Sequence, residues 1–345
     1  MQILSRNIPA VSAALQDAVY RLSALSELSL LVDFTLESRF IRHLSTCPSL
    51  RCLCLYLHPG ASIAIDPDSE ANSLHFPALR KVDFCAEAWA TINSLFSLIS
   101  PSTCAITHVH VSLQVSSVSE FQKLSQALGR LPSIETLELE ISWGSYSLLC
   151  ISPSAFSPLF ALHALRIFHV AEGRCQLSLD DATVSEMAHA WPHIEQLSLL
   201  AQCYDVDSHQ TSVTIPGLLP FALHCPRLNE LRILLAAVTA NSLHFTDPES
   251  AQKWAEMANH PPHGLAVLEL GDPPLEVGCT VEVAGYLSAM FPHLESIDDN
   301  RRSEYARNTS LALVGELEGG WDGVMALFDI FAKVRRQERT GRSKV

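Results

Sequence analysis

From Leu131 to Leu139 the chain runs Leu-Pro-Ser-Ile-Glu-Thr-Leu-Glu-Leu, with apolar positions at Ile134, Leu137 and Leu139. A proline turn followed by this alternation predicts a short strand with one apolar side. The phrase recurs from Cys47 to Leu55, Phe76 to Phe84, Trp191 to Leu199 and Cys225 to Ile233. Taking the first apolar residue of each phrase gives ten anchors: Leu25, Leu50, Leu79, Ile106, Ile134, Leu162, Ile194, Leu228, Leu265 and Leu294. Their intervals are 25, 29, 27, 28, 28, 32, 34, 37 and 29 residues.

Between the strands the period changes. Phe121, Leu124 and Leu128 share one helical face, behind a capping signal at Ser119 and Gln122. Thr183 and Glu186 repeat that signal, and Val283, Leu287, Met290 and Leu294 repeat the stripe. Pro132, Pro192 and Pro292 then stop the helices and turn the chain. One strand and one helix per repeat of this length predict an α/β leucine-rich-repeat solenoid, a horseshoe with parallel strands on its concave face and helices on its convex face.

Three regions follow. Residues 1–24 are expected as an N-terminal helical cap on Val11, Leu15, Val19 and Leu22. Residues 25–298 hold about ten repeats, with polar insertions at 57–74, 201–213 and 236–250. Residues 299–345 are expected as a C-terminal cap, with Trp321, Val324, Met325, Phe328 and Phe331 on one face, and a basic tail.

Alternation also predicts which side chains the strands display. With Leu137 and Leu139 in the core, Glu138 faces outward, and the same register collects Ser29, Cys54, Asp83, His110, Glu138, Arg166, Ser198, Arg232, Glu269 and Asp298 in one column. Neighbours in such a column stand ~4.8 Å apart. Asp83, His110, Glu138, Arg166, Arg232 and Glu269 are its candidate partner-binding residues.

Composition narrows the partner. The net charge is −14, yet residues 333–344 hold six cations against one acid, which leaves the rest of the chain at −19. An acidic body repels phosphate backbones, so a protein partner is expected rather than nucleic acid. The first thirty residues are interrupted by charges, and no run reaches the ~18 apolar residues of a membrane span. Ten cysteines without paired spacing suit reduced thiols, and a cytoplasmic or nuclear location is expected.

The residues offer little chemistry. Gly144-Ser145-Tyr146-Ser147-Leu148 fails the Gly-x-Ser-x-Gly pattern, and no phosphate loop or His-Glu-x-x-His is present. Cys54, Asp83 and His110 fall on successive strands, but the outer two would be ~10 Å apart, too far for a tight zinc site. His260-Pro261-Pro262-His263 is a loop, since proline forbids the helix that would align its imidazoles. No catalytic residue, metal or cofactor is expected, and the chain is expected not to be an enzyme.

The phrases Cys-Pro-Ser-Leu-Arg-Cys-Leu-Cys-Leu and Cys-Pro-Arg-Leu-Asn-Glu-Leu-Arg-Ile resemble the repeats of F-box/leucine-rich-repeat proteins. Uneven repeat lengths, Phe291-Pro292-His293-Leu294-Glu295-Ser296-Ile297 and the closing Trp321 helix are similar to the large sets of these proteins in mushroom-forming fungi. The resemblance implies a substrate-reading repeat region whose F-box docks a ubiquitin-ligase adaptor. Residues 1–24 lack the family's Leu-Pro-x-Glu opening, so adaptor docking is expected only with an upstream F-box. The alternative is an acidic regulatory or inhibitory solenoid that wraps a basic protein.

Overall fold

The computed structural model describes residues 2–4, 9–22, 24–58, 60–64, 74–86, 89–101, 103–115, 117–143, 149–171, 175–200, 211–244, 252, 254, 263–271, 273–276, 278–298 and 320–342. The chain is α/β and divides into two compact units, Met1–Gln176 with Ala201–Tyr204, and Leu177–Leu200 with Asp205–Val345.

In the first unit, strands β1 (Gln2–Leu4), β2 (Glu27–Val32), β3 (Cys52–Leu57), β4 (Lys81–Ala86), β5 (His108–Val115), β6 (Thr136–Trp143) and β7 (Ile167–Ala171) lie side by side in chain order. Every pair is parallel. Helices α1 (Pro9–Tyr20), α2 (Ser38–Thr46), α3 (Trp89–Leu98) and α4 (Val118–Gly129) connect them. Residues 1–24 therefore supply a strand as well as the expected helix: Ile3 of β1 pairs with Leu30 of β2.

The alternation in sequence is the alternation in burial. Leu53, Leu55 and Leu57 of β3 are buried, while Cys52, Cys54 and Tyr56 between them are half-exposed. The apolar side packs under the helices, where Phe84 of β4 meets the Phe96 ring of α3 edge-on at 5.4 Å. Phe121 of α4 meets Phe156 in the same way at 5.3 Å. Each fully buried side chain of this size contributes ~1.5–3 kcal/mol.

Five of the phrases open with the same turn. The anchor N–H donates to the carbonyl three residues earlier: Leu50 to Cys47, Ile134 to Leu131, Ile194 to Trp191, Leu228 to Cys225 and Leu294 to Phe291, at 3.0–3.4 Å. One anchor moves. Leu165 N–H donates to Leu162 at 3.0 Å, so Leu162 opens the turn and Leu165 is the anchor. That phrase, Leu162-His163-Ala164-Leu165, lacks the proline that marks the turn elsewhere, and another leucine stands in its place in the spacing. The segment before it forms two 3-10 turns, Pro153–Ala155 and Ser157–Ala161, rather than a helix.

Two helix starts also differ from the expected ones. The cap of α4 is Ser117, whose Oγ accepts from Glu120 N–H, and not Ser119. In the second unit, α5 (Asp181–Ala190) is capped by Asp180, with Thr183 donating to it through both N–H and hydroxyl at 2.7 and 2.6 Å. In both cases the capping residue stands earlier than the Ser/Thr that fitted the pattern, and an acceptor with extended backbone decides the cap.

The second unit also holds strands β8 (Gln196–Ser198), β9 (Glu230–Arg232), β10 (Val267–Glu269) and β11 (Ser296–Asp298), parallel and in order. Its other helices are α6 (Leu219–His224), α7 (Thr280–Met290) and α8 (Gly320–Arg342). Trp321, Val324 and Phe328 of α8 are buried; Met325 and Phe331 are half-buried. Trp321 Nε1 donates to Pro273 O at 2.9 Å. The basic end is not simply solvated, because Arg335 of α8 donates to Ser288 Oγ and Gly285 O of α7 at 3.1 and 3.2 Å.

The insertion at 57–74 contributes Ser62–Ile63, paired in parallel with Thr35–Leu36. The insertion at 236–250 contributes a 3-10 turn, Ala240–Leu243, capped by Thr239. Residues 65–73, 144–148, 201–210 and 245–250, His260, and the break at 299–302 lie outside the described residues.

Candidate functional site

The polar side of the first unit's strands is a grid set by the pairing register. Ser29, Cys54, Asp83, His110 and Glu138 are successive partners across β2 to β6. This is the expected column, with one replacement. The partner of Glu138 on β7 is His169. Arg166 lies before that strand, exposed, with Nη1 3.8 Å from Glu135 Oε2. The shifted anchor is the reason: moving from Leu162 to Leu165 moves the outward position from Arg166 to His169. His169 Nε2 is buried without a hydrogen-bond partner among the described residues.

Three strands converge on Asp83. Tyr56 Oη of β3 donates to Asp83 Oδ2 at 2.8 Å, and His110 Nδ1 of β5 donates to Oδ1 at 2.8 Å. The far nitrogen of the ring, Nε2, stands 3.5 Å from Glu140 Oε1 of β6. Burial alone would lower the His110 pKa, but the bond to Asp83 and the charges of Asp83 and Glu140 outweigh it and raise it. The bond to Asp83, then burial, push the Tyr56 phenol well above its ordinary value. Burial, Cys52 and Asp83 push the Cys54 thiol up to about 12. The group is a hydrogen-bonded network presented at a surface.

In the second unit the register aligns Ser198, Arg232, Glu269 and Asp298. Arg232 Nε donates to Glu230 Oε1 at 2.6 Å, and its Nη1 lies 3.4 Å from Glu269 Oε2. Arg232 and Glu269, expected as site residues, are thus joined across adjacent strands, with Glu230 as a third member.

The predicted column left out Tyr56, Glu140, His169 and Glu230. Tyr56, Glu140 and Glu230 stand two residues from a column member and so face the same way; that periodicity was the signal available. In the trio Cys54, Asp83 and His110, both Asp83 oxygens are hydrogen-bonded, to Tyr56 and to His110. Among the described residues no group of three His, Cys, Asp or Glu side chains is arranged to hold a metal ion. His263 is buried in packing, with Nε2 donating to Cys225 O at 2.7 Å and Nδ1 accepting from Leu265 N–H at 3.1 Å.

Cys47, Cys52, Cys54, Cys85, Cys104, Cys225 and Cys279 are free thiols. Cys47 and Cys225, in the slot before proline, are buried and point their sulfurs at the His43 and Ala188 carbonyls, both at 3.4 Å. Among the described residues no helix is long and apolar enough to cross a membrane. No protein-family model matches the chain, and a search of curated proteins finds no match.

Proposed function

We propose that this chain is a non-catalytic protein-recognition scaffold: a leucine-rich-repeat solenoid that reads a protein partner with the polar side of its strands. The observation that carries this reading is the Tyr56–Asp83–His110–Glu140 network. Four strands hold these polar side chains on the part-exposed side of the sheet, while the opposite side is apolar and buried. A preorganised, half-desolvated set of donors and acceptors suits recognition, because little side-chain entropy remains to be lost on binding.

In the F-box reading, the repeats select the substrate of a ubiquitin ligase, and the adaptor docks through an F-box outside this sequence. The test is co-precipitation with the adaptor, with and without the upstream genomic extension. Adaptor capture confined to the extended chain supports the reading, and no capture with either opposes it.

The alternative reading, an acidic regulator of a basic protein, is favoured by one observation, the net charge of −14. Its partner would be displaced by salt, since exposed charges are screened beyond ~10 Å at 0.1 M. Retention of the partner across a salt series opposes it.

A further inference from the structure

The closing helix α8 is apolar on two sides. Trp321, Val324, Phe328 and Ala332 are buried and turn one side toward its own unit. Leu327, Ile330, Phe331 and Val334 fall at i, i+3, i+4 and i+7, the spacing of a second stripe. Leu327 and Phe331 are half-buried at its margin, whereas Ile330 and Val334 are 55% and 46% exposed. A helix that only closed the array would carry polar side chains at those two places, since the outer face of a terminal cap is polar.

The charged positions of the exposed side divide by sign along the helix. Asp322 and Asp329 are exposed toward its start, and Lys333 and Arg336 are exposed after them. Asp329 and Lys333 stand four residues apart, in the order that suits an ion pair within one helix. Neither is paired among the described residues.

We propose that this stripe is the contact surface for a second copy of the chain, with the two α8 helices packed antiparallel about a two-fold axis that passes between Ile330 and Val334. A two-fold contact is isologous, so one patch must be complementary to itself. This one is. Antiparallel packing brings Ile330 and Val334 of both copies together at the centre and carries Asp329 of each helix toward Lys333 and Arg336 of the other. Parallel packing would set like charges side by side. A lipid surface fits less well, because helices that lie in a membrane interface carry lysine and arginine on their polar face. Here acids flank the stripe, on a chain of net charge −14 that anionic headgroups repel. The stripe runs from Leu327 to Val334, ~12 Å of helix. So small a contact falls below the ~1,200 Å² of stable interfaces, and the dimer should form only at high concentration. The pairing does not depend on what the strand face recognises.

The experiment is sedimentation equilibrium of the full chain over a roughly hundredfold range of concentration, wide enough for a dimer of one affinity to convert. Wild type should pass from the mass of one chain to that of two, and Ile330→Glu with Val334→Glu should stay at one. Both residues are exposed, so thermal melts of the variant should match wild type. Leu22→Glu, a charge at an exposed leucine of the first unit, should dimerise like wild type. Asp329→Lys and Lys333→Asp should each weaken the dimer, and the two together should restore it, which only the antiparallel arrangement predicts. A wild type that stays at one chain throughout, or a dimer unchanged in the Ile330/Val334 variant, would overturn the proposal. So would flotation of single wild-type chains with vesicles of equal parts phosphatidylcholine and phosphatidylserine, lost in that variant, which would give the stripe to lipid.

Discussion

Asp83 and His110 face each other across adjacent parallel strands, Oδ1 to Nδ1 at 2.8 Å, with Tyr56 on the other oxygen of the carboxylate. The pair ties β3, β4 and β5 together on the polar side, where the apolar core cannot. Its strength depends on the His110 charge. The groups facing the ring are Asp83 on β4 and Glu140 on β6, both acidic.

The sign of the pH dependence follows. The folded His110 pKa is raised above its ordinary 6.5. The stabilisation is therefore complete below about pH 6.5 and fades as pH rises through the higher folded value. His110→Gln should cost about 1 kcal/mol at about pH 5.5 and less at about pH 8.5. Thermal melts of the two proteins at both pH values check this, and an equal cost at both would show that the ring is neutral throughout.

Leu137 and Glu138 are neighbours with opposite fates. Leu137 is fully buried against the helix side, and Glu138 is half-exposed in the column. Leu137→Asp buries an unpaired charge and should lower stability by more than ~3 kcal/mol. Glu138→Ala should stay within ~0.5 kcal/mol. Urea unfolding of both variants tests the assignment of the two faces; the reverse order of effects would swap them.

Asp180 caps α5 through two bonds from Thr183, and those bonds hold its carboxyl below the ordinary range. Asp180→Ala should cost about 1 kcal/mol near neutral pH. Because the folded value is depressed, this contribution is present above about pH 3.8 and is lost as pH falls through the folded value. A cost that did not diminish as pH fell below about 3.8 would contradict the capping role.

Trp321 anchors α8 with a buried ring and a bond to Pro273. Trp321→Ala should cost about 3–5 kcal/mol. Hydrogen exchange should then show loss of protection in α8 and α7, which Arg335 joins, while β2 to β6 keep theirs. Uniform loss across the chain would mean that α8 supports more than its own unit.

The strands were legible in the sequence because burial there follows a two-residue alternation that leucine, valine and phenylalanine declare. The turn before each strand was legible where proline marked it. Leu162-His163-Ala164-Leu165 carries no proline, so two leucines competed for one place, and the error of three residues put Arg166 where His169 stands. The caps failed for a related reason: Ser117 and Ser119 are chemically equal in the sequence, and only the backbone of Ser117 is extended there. The network around Asp83 was half visible. The column gave Asp83 and His110, but the reach of Tyr56 and Glu140 across strands depends on side-chain length and rotamer, which spacing does not encode.

The most direct test of the recognition face is co-precipitation from the protein's own cells with paired variants. Glu138→Arg with Glu140→Arg reverses charge on the strand face; Gln122→Arg with Gln126→Arg adds the same type of residue to exposed positions of α4. Proteins captured by wild type and by the α4 variant should be lost from the strand-face variant, with all three chains equally folded. Capture that survives on the strand-face variant and is lost on the α4 variant would place recognition on the helices and contradict a strand-face reader.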